Sequence, residues 1–137
     1  MEYWIGLLLG AGVVAFANLV GLDCGRSFYP TVAIVVASYY VLFAAMGAPT
    51  AILWIETGAA SAFVLVAVIG FKTRFWLVAA AIFGHGIFDF FHHRFIDNPG
   101  VPTWWPGFCL AFDVAAGAWV FVRSSRGNAP PHQPASP

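Results

Sequence analysis

Six side chains capable of chemistry stand inside otherwise apolar stretches: Glu56, His85, Asp89, His92, His93 and Asp113. Burying an ionisable group in such surroundings is expensive, so each needs a partner, a proton or an ion. Imidazole combined with carboxylate suits zinc, iron or manganese. On a helix of 3.6 residues per turn, His85, Asp89 and His92 fall at 0°, about 40° and about −20°, one polar stripe. His93 falls at about 80°, still near Asp89. Cys109 precedes Asp113 by one turn and shares its face. Side chains converging from facing helices are how helical bundles build metal sites. The pattern therefore predicts a divalent transition metal held by His85, Asp89, His92 and His93. Glu56 or Asp113 would supply a further ligand or a general base. The same residues also fit a hydrogen-bonded network that locks helices together or passes protons.

The elements that must carry these residues follow from composition. The chain has 137 residues, 61% of them hydrophobic and only 9% charged, with a mean hydropathy of +0.81. A soluble domain carries about 25% charged residues, so the natural solvent for this chain is lipid. The formal net charge is zero, and nothing points to nucleic acid. A spanning helix needs about 20 mostly apolar residues, and about five candidates are present. They run from about Tyr3 to Leu22, Pro30 to Met46, Thr50 to Phe71, Phe75 to Phe95 and Pro106 to Val122. Pro30 and Pro106 sit where a first-turn proline is tolerated. Gly47-Ala48-Pro49 reads as a tight turn, and Asn98-Pro99-Gly100-Val101-Pro102 cannot be helical. The fold class is thus an all-α polytopic membrane bundle, with residues 1–126 as the helical domain. The Pro-rich remainder, 127–137, reads as a disordered tail. Ala15-Phe16-Ala17 resembles a signal-peptidase site, but the leader Met1-Glu2-Tyr3-Trp4 lacks a basic region, so the first segment reads as a retained helix. Cys24 and Cys109 fall near opposite faces, too far apart for a disulfide, and read as free thiols.

Orientation is read from the basic residues. Arg26, Lys72, Arg74, Arg123 and Arg126 all fall between or after spans on one side, and only Arg94 falls on the other. The N-terminus is therefore expected outside and the C-terminus in the cytoplasm, in the inner (cytoplasmic) membrane of a cell. Trp4, Trp104 and Trp105 would mark the outer interface, with Trp76 and Trp119 toward the inner one. Counting inward from the outer ends at 1.5 Å per residue puts His85, Asp113 and Glu56 each roughly 10 Å deep, on three different helices. Gly6-x-x-x-Gly10 and Gly58-x-x-x-Ala62 have the spacing that lets helix backbones approach. The first of these faces, together with the short length of the chain, predicts a homo-oligomer. Asp23 and Arg26 read as a helix-end ion pair. Asn18 and the run Ser38-Tyr39-Tyr40 read as partners for hydrogen bonds between helices. The connector from Ile96 to Trp105 lies just above the cluster, as a lid or as an interfacial anchor.

The stretch Gly84-His85-Gly86-x-x-Asp89-Phe90-x-His92-His93, followed by Asn98-Pro99-Gly100 and Trp104-Trp105-Pro106-x-x-Cys109-x-x-x-Asp113, resembles a family of small uncharacterised bacterial integral membrane proteins. The resemblance covers about the last third of the spanning region. It implies a multi-span fold and no particular activity. More loosely, His and Asp on membrane helices look like the zinc-dependent hydrolases of the alkaline ceramidase and adiponectin-receptor superfamily. Those have more helices and an HxxxH element, which this chain lacks. The expected function is a metal-dependent membrane enzyme, hydrolytic or oxidative, acting on a lipid-soluble substrate from the outer leaflet. A proton or metal-ion transporter or channel subunit is the alternative, and an accessory subunit of a membrane complex is a third class.

Overall fold

The computed structural model describes residues 1–126, and the tail expected to be disordered lies outside the described residues. Within that range the chain forms five long α-helices and no strand. These are α1 (Glu2–Val20), α2 (Phe28–Gly47), α3 (Thr50–Lys72), α4 (Trp76–His92) and α5 (Trp105–Ser125), with a short 3₁₀ turn at Leu22–Cys24. Four of them, α1, α2, α3 and α5, are long and apolar enough to cross a membrane. The fifth, α4, has 17 residues, which spans roughly 25 Å and sits at the lower limit for a crossing helix. The chain is an all-helical, multi-pass membrane protein.

Local chemistry sets the helix ends. Gly21 ends α1 in the left-handed conformation, with φ 78°, and its N–H donates to the Asn18 carbonyl. A residue with a Cβ is disfavoured there. Pro49 cannot donate a backbone hydrogen bond, so α2 stops before it. The Pro49 carbonyl then accepts from Ile52 and Leu53 to open α3. Pro106 occupies the first turn of α5, where no N–H is needed.

The helices pack so that α4 is surrounded. It lies against α5 on one side and against α3 and α2 on the other, while α5 also carries α1. Tyr29, Val36, Val78, Ile82, Phe112 and Val120 form the dry centre between them. Large apolar side chains such as Leu8, Leu19, Trp54 and Leu65 point outward, as a lipid-facing surface requires. Gly6 and Gly10 are buried against Phe108 and Phe112 of α5, and a Cβ on Gly6 would run into the Phe108 carbonyl. The glycine face expected to receive a second copy of the chain is therefore spent inside it. Gly58, by contrast, has open space where its Cβ would be, and Ala62 beside it is exposed.

One end of the bundle gathers basic residues. Arg26 donates to the carbonyls of Phe71 at 3.2 Å and Gly70 at 3.3 Å, and its guanidinium lies 5.2 Å from the centre of the Phe75 ring. Asp23 is buried and pairs with Arg123 of α5. The expected partner of Asp23 was its near neighbour Arg26; instead the ion pair ties the turn after α1 to the end of α5. The other end carries Trp104, Trp105 and the connector from α4 to α5.

Candidate functional site

The ionisable residues of the bundle form two adjoining groups. The inner group joins α4 to α5. His85 Nδ1 lies 2.8 Å from Asp113 Oδ2, and His85 Nε2 lies 3.5 Å from Asp89 Oδ1, one turn further along α4. Gly86 makes this possible, because a Cβ there would sit 2.9 Å from the Cβ of Asp113 and push α5 away. His85 is held edge-on by Phe63 of α3, with ring centres 5.2 Å apart.

The outer group joins α3, α4 and the α4–α5 connector. Glu56 Oε1 accepts from His92 Nε2 at 2.8 Å and from the Asn98 side-chain amide, also at 2.8 Å. Asn98 reaches the Tyr40 carbonyl of α2 at 3.3 Å as well. Its own Oδ1 accepts the Gly100 N–H at 3.1 Å, a local turn that aims the amide inward. The His92 ring lies against Tyr40, with centres 4.1 Å apart. On α3, whose sides are otherwise largely lipid-facing, Glu56 is one of only three buried residues.

These positions refine the expected ligand set. His85, Asp89 and Asp113 come together as expected, and one ligand atom from each lies within 4.8 Å of the others. A tetrahedral ion with bonds of about 2.0–2.2 Å holds its ligand atoms about 3.4 Å apart, so this set would have to draw in to close on one ion. Glu56 and His92 pair with each other instead, nearer the end of the bundle, and leave Glu56 Oε2 buried without a hydrogen bond among the described residues. His93 is exposed, because α4 ends at His92 and the next residue turns away from the cluster. The common depth expected for Glu56 and His85 is not found, and the reason is the length of α3. Measured from the short turn that joins α3 to α4, Glu56 and His92 each lie roughly 24 Å along their helices, and His85 only roughly 14 Å.

Asn98 and Tyr40 were not among the expected site residues. The Asn-Pro-Gly run signalled only a chain break, although an asparagine in such a turn is a ready donor. Tyr40 reads as one more aromatic residue in an apolar helix, and its neighbourhood appears only when α2 is laid on α4. Cys109 is buried, and with Tyr40 it faces Asp89.

The inner group is electrostatically incomplete. Asp89 is fully buried, and among the described residues neither of its carboxylate oxygens meets a well-formed hydrogen bond. Asp113 Oδ1 is in the same state. Arg94, the basic residue nearest in sequence, lies on the outside over the Phe91 ring. A carboxylate in such a place is neutralised by a proton or met by a cation. The separation of Asp89 from His85 Nε2 exceeds a good hydrogen bond but matches two ligands sharing an ion. No protein-family model, curated protein or solved structure matches this chain, so the functional reading rests on this geometry.

Proposed function

We propose that this chain is a metal-dependent membrane enzyme whose inner group holds one divalent transition metal and acts on a lipid-soluble substrate. The observation that carries the proposal is Asp89: buried, with no well-formed hydrogen bond to either oxygen among the described residues, and 3.5 Å from the free side of the His85 ring. His85 Nε2 and Asp89 are the ligands in this reading. Asp113 holds the His85 Nδ1–H, the carboxylate–histidine–metal arrangement that fixes ring tautomer and orientation. Its second oxygen is left over as a further ligand or a proton acceptor. Zinc, iron and manganese all suit this donor set. A bound metal would supply a Lewis acid or an activated water. Glu56 and His92, paired through Glu56 Oε1, close the outer end of the site in this reading.

The cluster lies toward the end opposite the basic residues. Basic residues favour the cytoplasmic side, so the proposal places the protein in the inner membrane with the cluster near the outer face. A reporter fused after Arg126 is expected to be active only in the cytoplasm, and a signal from the outer side would reverse this orientation.

The second reading is a proton relay through Asp113, His85 and Asp89, and it is favoured by their continuous contact. As a transporter it needs polar groups running on toward the basic end. There the core continues with Val78, Ile82, Ala116 and Val120, all buried and apolar, so the relay ranks second. Elemental analysis separates the two. Wild-type protein, stripped with a chelator and dialysed against zinc, iron or manganese, is expected to take up about one equivalent per chain. Protein that takes up none would leave the relay as the better account.

A further inference from the structure

Between α1, α2 and α5 runs a cavity of about 550 Å³, a size typical of small-molecule sites. Its walls are Leu9 and Val13 of α1, Val32 and Val36 of α2, and Phe108 and Phe112 of α5. It is lined almost wholly by apolar atoms. The Thr31 hydroxyl at its edge already donates to the Ser27 carbonyl at 2.8 Å, so it has no hydrogen left to donate to a ligand. Along α2 the lining runs from Phe28 to Tyr39, roughly 16 Å of helix, the reach of a long hydrocarbon chain. The far end is different in kind. There Tyr39, Trp105 and Cys109 close the groove. The Trp105 indole N–H is buried there without a hydrogen-bond partner among the described residues, and its ring packs on Tyr39. Cys109 belongs to both places, since it lines the groove and also packs beside Asp89.

We infer that this groove is the substrate channel, and that the substrate is an amphiphile with one long hydrocarbon tail. The tail lies along α1, α2 and α5, and the polar end rests against Cys109 and Trp105, one side chain away from Asp89. The inference deepens the enzyme proposal and rests on it for the identity of the occupant as substrate. Three observations commit it to this occupant. The groove is apolar along its length, so it holds a tail and not a headgroup. Its length, roughly 16 Å along α2, suits one chain. It ends at an indole donor with no hydrogen bond among the described residues, beside Cys109, the wall it shares with the inner group. A second groove, between α1 and α5, is larger at about 740 Å³ but ends at Asn18 and Arg126, at the opposite end of the bundle from the cluster. It therefore serves as the internal control.

The test uses the full chain in phosphatidylcholine vesicles containing a trace of a photoactivatable sixteen-carbon fatty alcohol, with labelled residues mapped by mass spectrometry. Labelling of Val32, Val36, Phe108 and Phe112 is expected to exceed that of Leu65 and Ile69 on the lipid-facing side of α3, and that of Ala15 and Ala118 in the second groove. The expected excess is roughly tenfold, a preference of about 1.4 kcal/mol over bulk lipid. Val32→Trp and Val36→Trp, which fill the groove, are expected to remove the excess and leave metal uptake unchanged. Labelling spread evenly over lipid-facing residues overturns the inference, as does an excess that persists in both filled variants. The wild-type pattern decides the matter even if neither variant folds. Metal uptake is read separately in the same preparations. A labelled groove in protein that binds no metal keeps the channel and rejects the metal centre; metal uptake with even labelling does the reverse.

Discussion

His85→Ala and Asp89→Ala are each expected to reduce divalent-metal occupancy to background, while Asp113→Asn weakens binding only by about 10- to 100-fold. The gradient follows from the geometry. Removing the His85 ring or the Asp89 carboxylate deletes one of two direct donors 3.5 Å apart, and the remaining one cannot hold an ion alone in a dry site. Asp113 touches the other nitrogen of His85 at 2.8 Å. Its amide analogue keeps that contact but presents a weaker acceptor, so the ring loses basicity and orientation rather than its place. Wild-type occupancy is expected to fall as pH is lowered. The sign is set by competition: a proton on Nε2 occupies the lone pair the metal needs, so binding is retained at higher pH and lost as the ring is protonated. Elemental analysis of the variants across a pH series checks both statements. A His85→Ala protein that keeps its metal, with its helical content intact, would place the ion elsewhere and reject the ligand assignment.

Much of the fold is legible in the sequence because lipid leaves few alternatives. Every buried backbone group must be satisfied within the segment, so apolar stretches between Pro and Gly breaks become helices. Helix ends fall within a few residues of Gly21 and Pro49, and about six residues on either side of the Asn98-Pro99 run. The inner group is legible for a related reason: His85, Asp89 and Asp113 are too costly to leave in lipid, and helical periodicity aligns the first two. What periodicity cannot give is the stagger between helices. α3 rises past the end of α4, and that offset carries Glu56 to His92 and away from His85. Nor does spacing distinguish which neighbour a glycine face meets. Gly6 and Gly10 read as a surface for another copy, yet α5 of the same chain fills it. His93 shows the limit of angular arguments, since an angle on a helix has meaning only while the helix continues.

Glu56→Ala is expected to destabilise the protein by about 3–5 kcal/mol, the range for removing one partner from a buried polar pair, while Glu56→Gln retains most of the stability. One oxygen of Glu56 receives both His92 Nε2 and the Asn98 amide. Through Asn98 the same contact reaches the Tyr40 carbonyl and the Gly100 turn. A single side chain thus fastens α3 to α4, to α2 and to the connector that covers the cluster. The connector has no other way to lie so close: at Gly100 a Cβ would strike the Phe43 carbonyl, so its path is set by backbone contact and held by Asn98. Alanine leaves two buried donors without acceptors and releases the connector. Glutamine keeps a carbonyl oxygen that both donors can still reach, so shape and hydrogen bonding survive without the carboxylate. Thermal unfolding in detergent measures the difference. Hydrogen exchange locates it, with faster exchange expected over residues 94–104 in Glu56→Ala and near-native protection in Glu56→Gln. Equal damage from both variants would mean that the negative charge of Glu56 is what the outer group requires, as a counter-ion to protonated His92 or as part of the chemistry. An undisturbed connector in Glu56→Ala would show instead that the contacts around Phe43 and Trp105 hold it unaided.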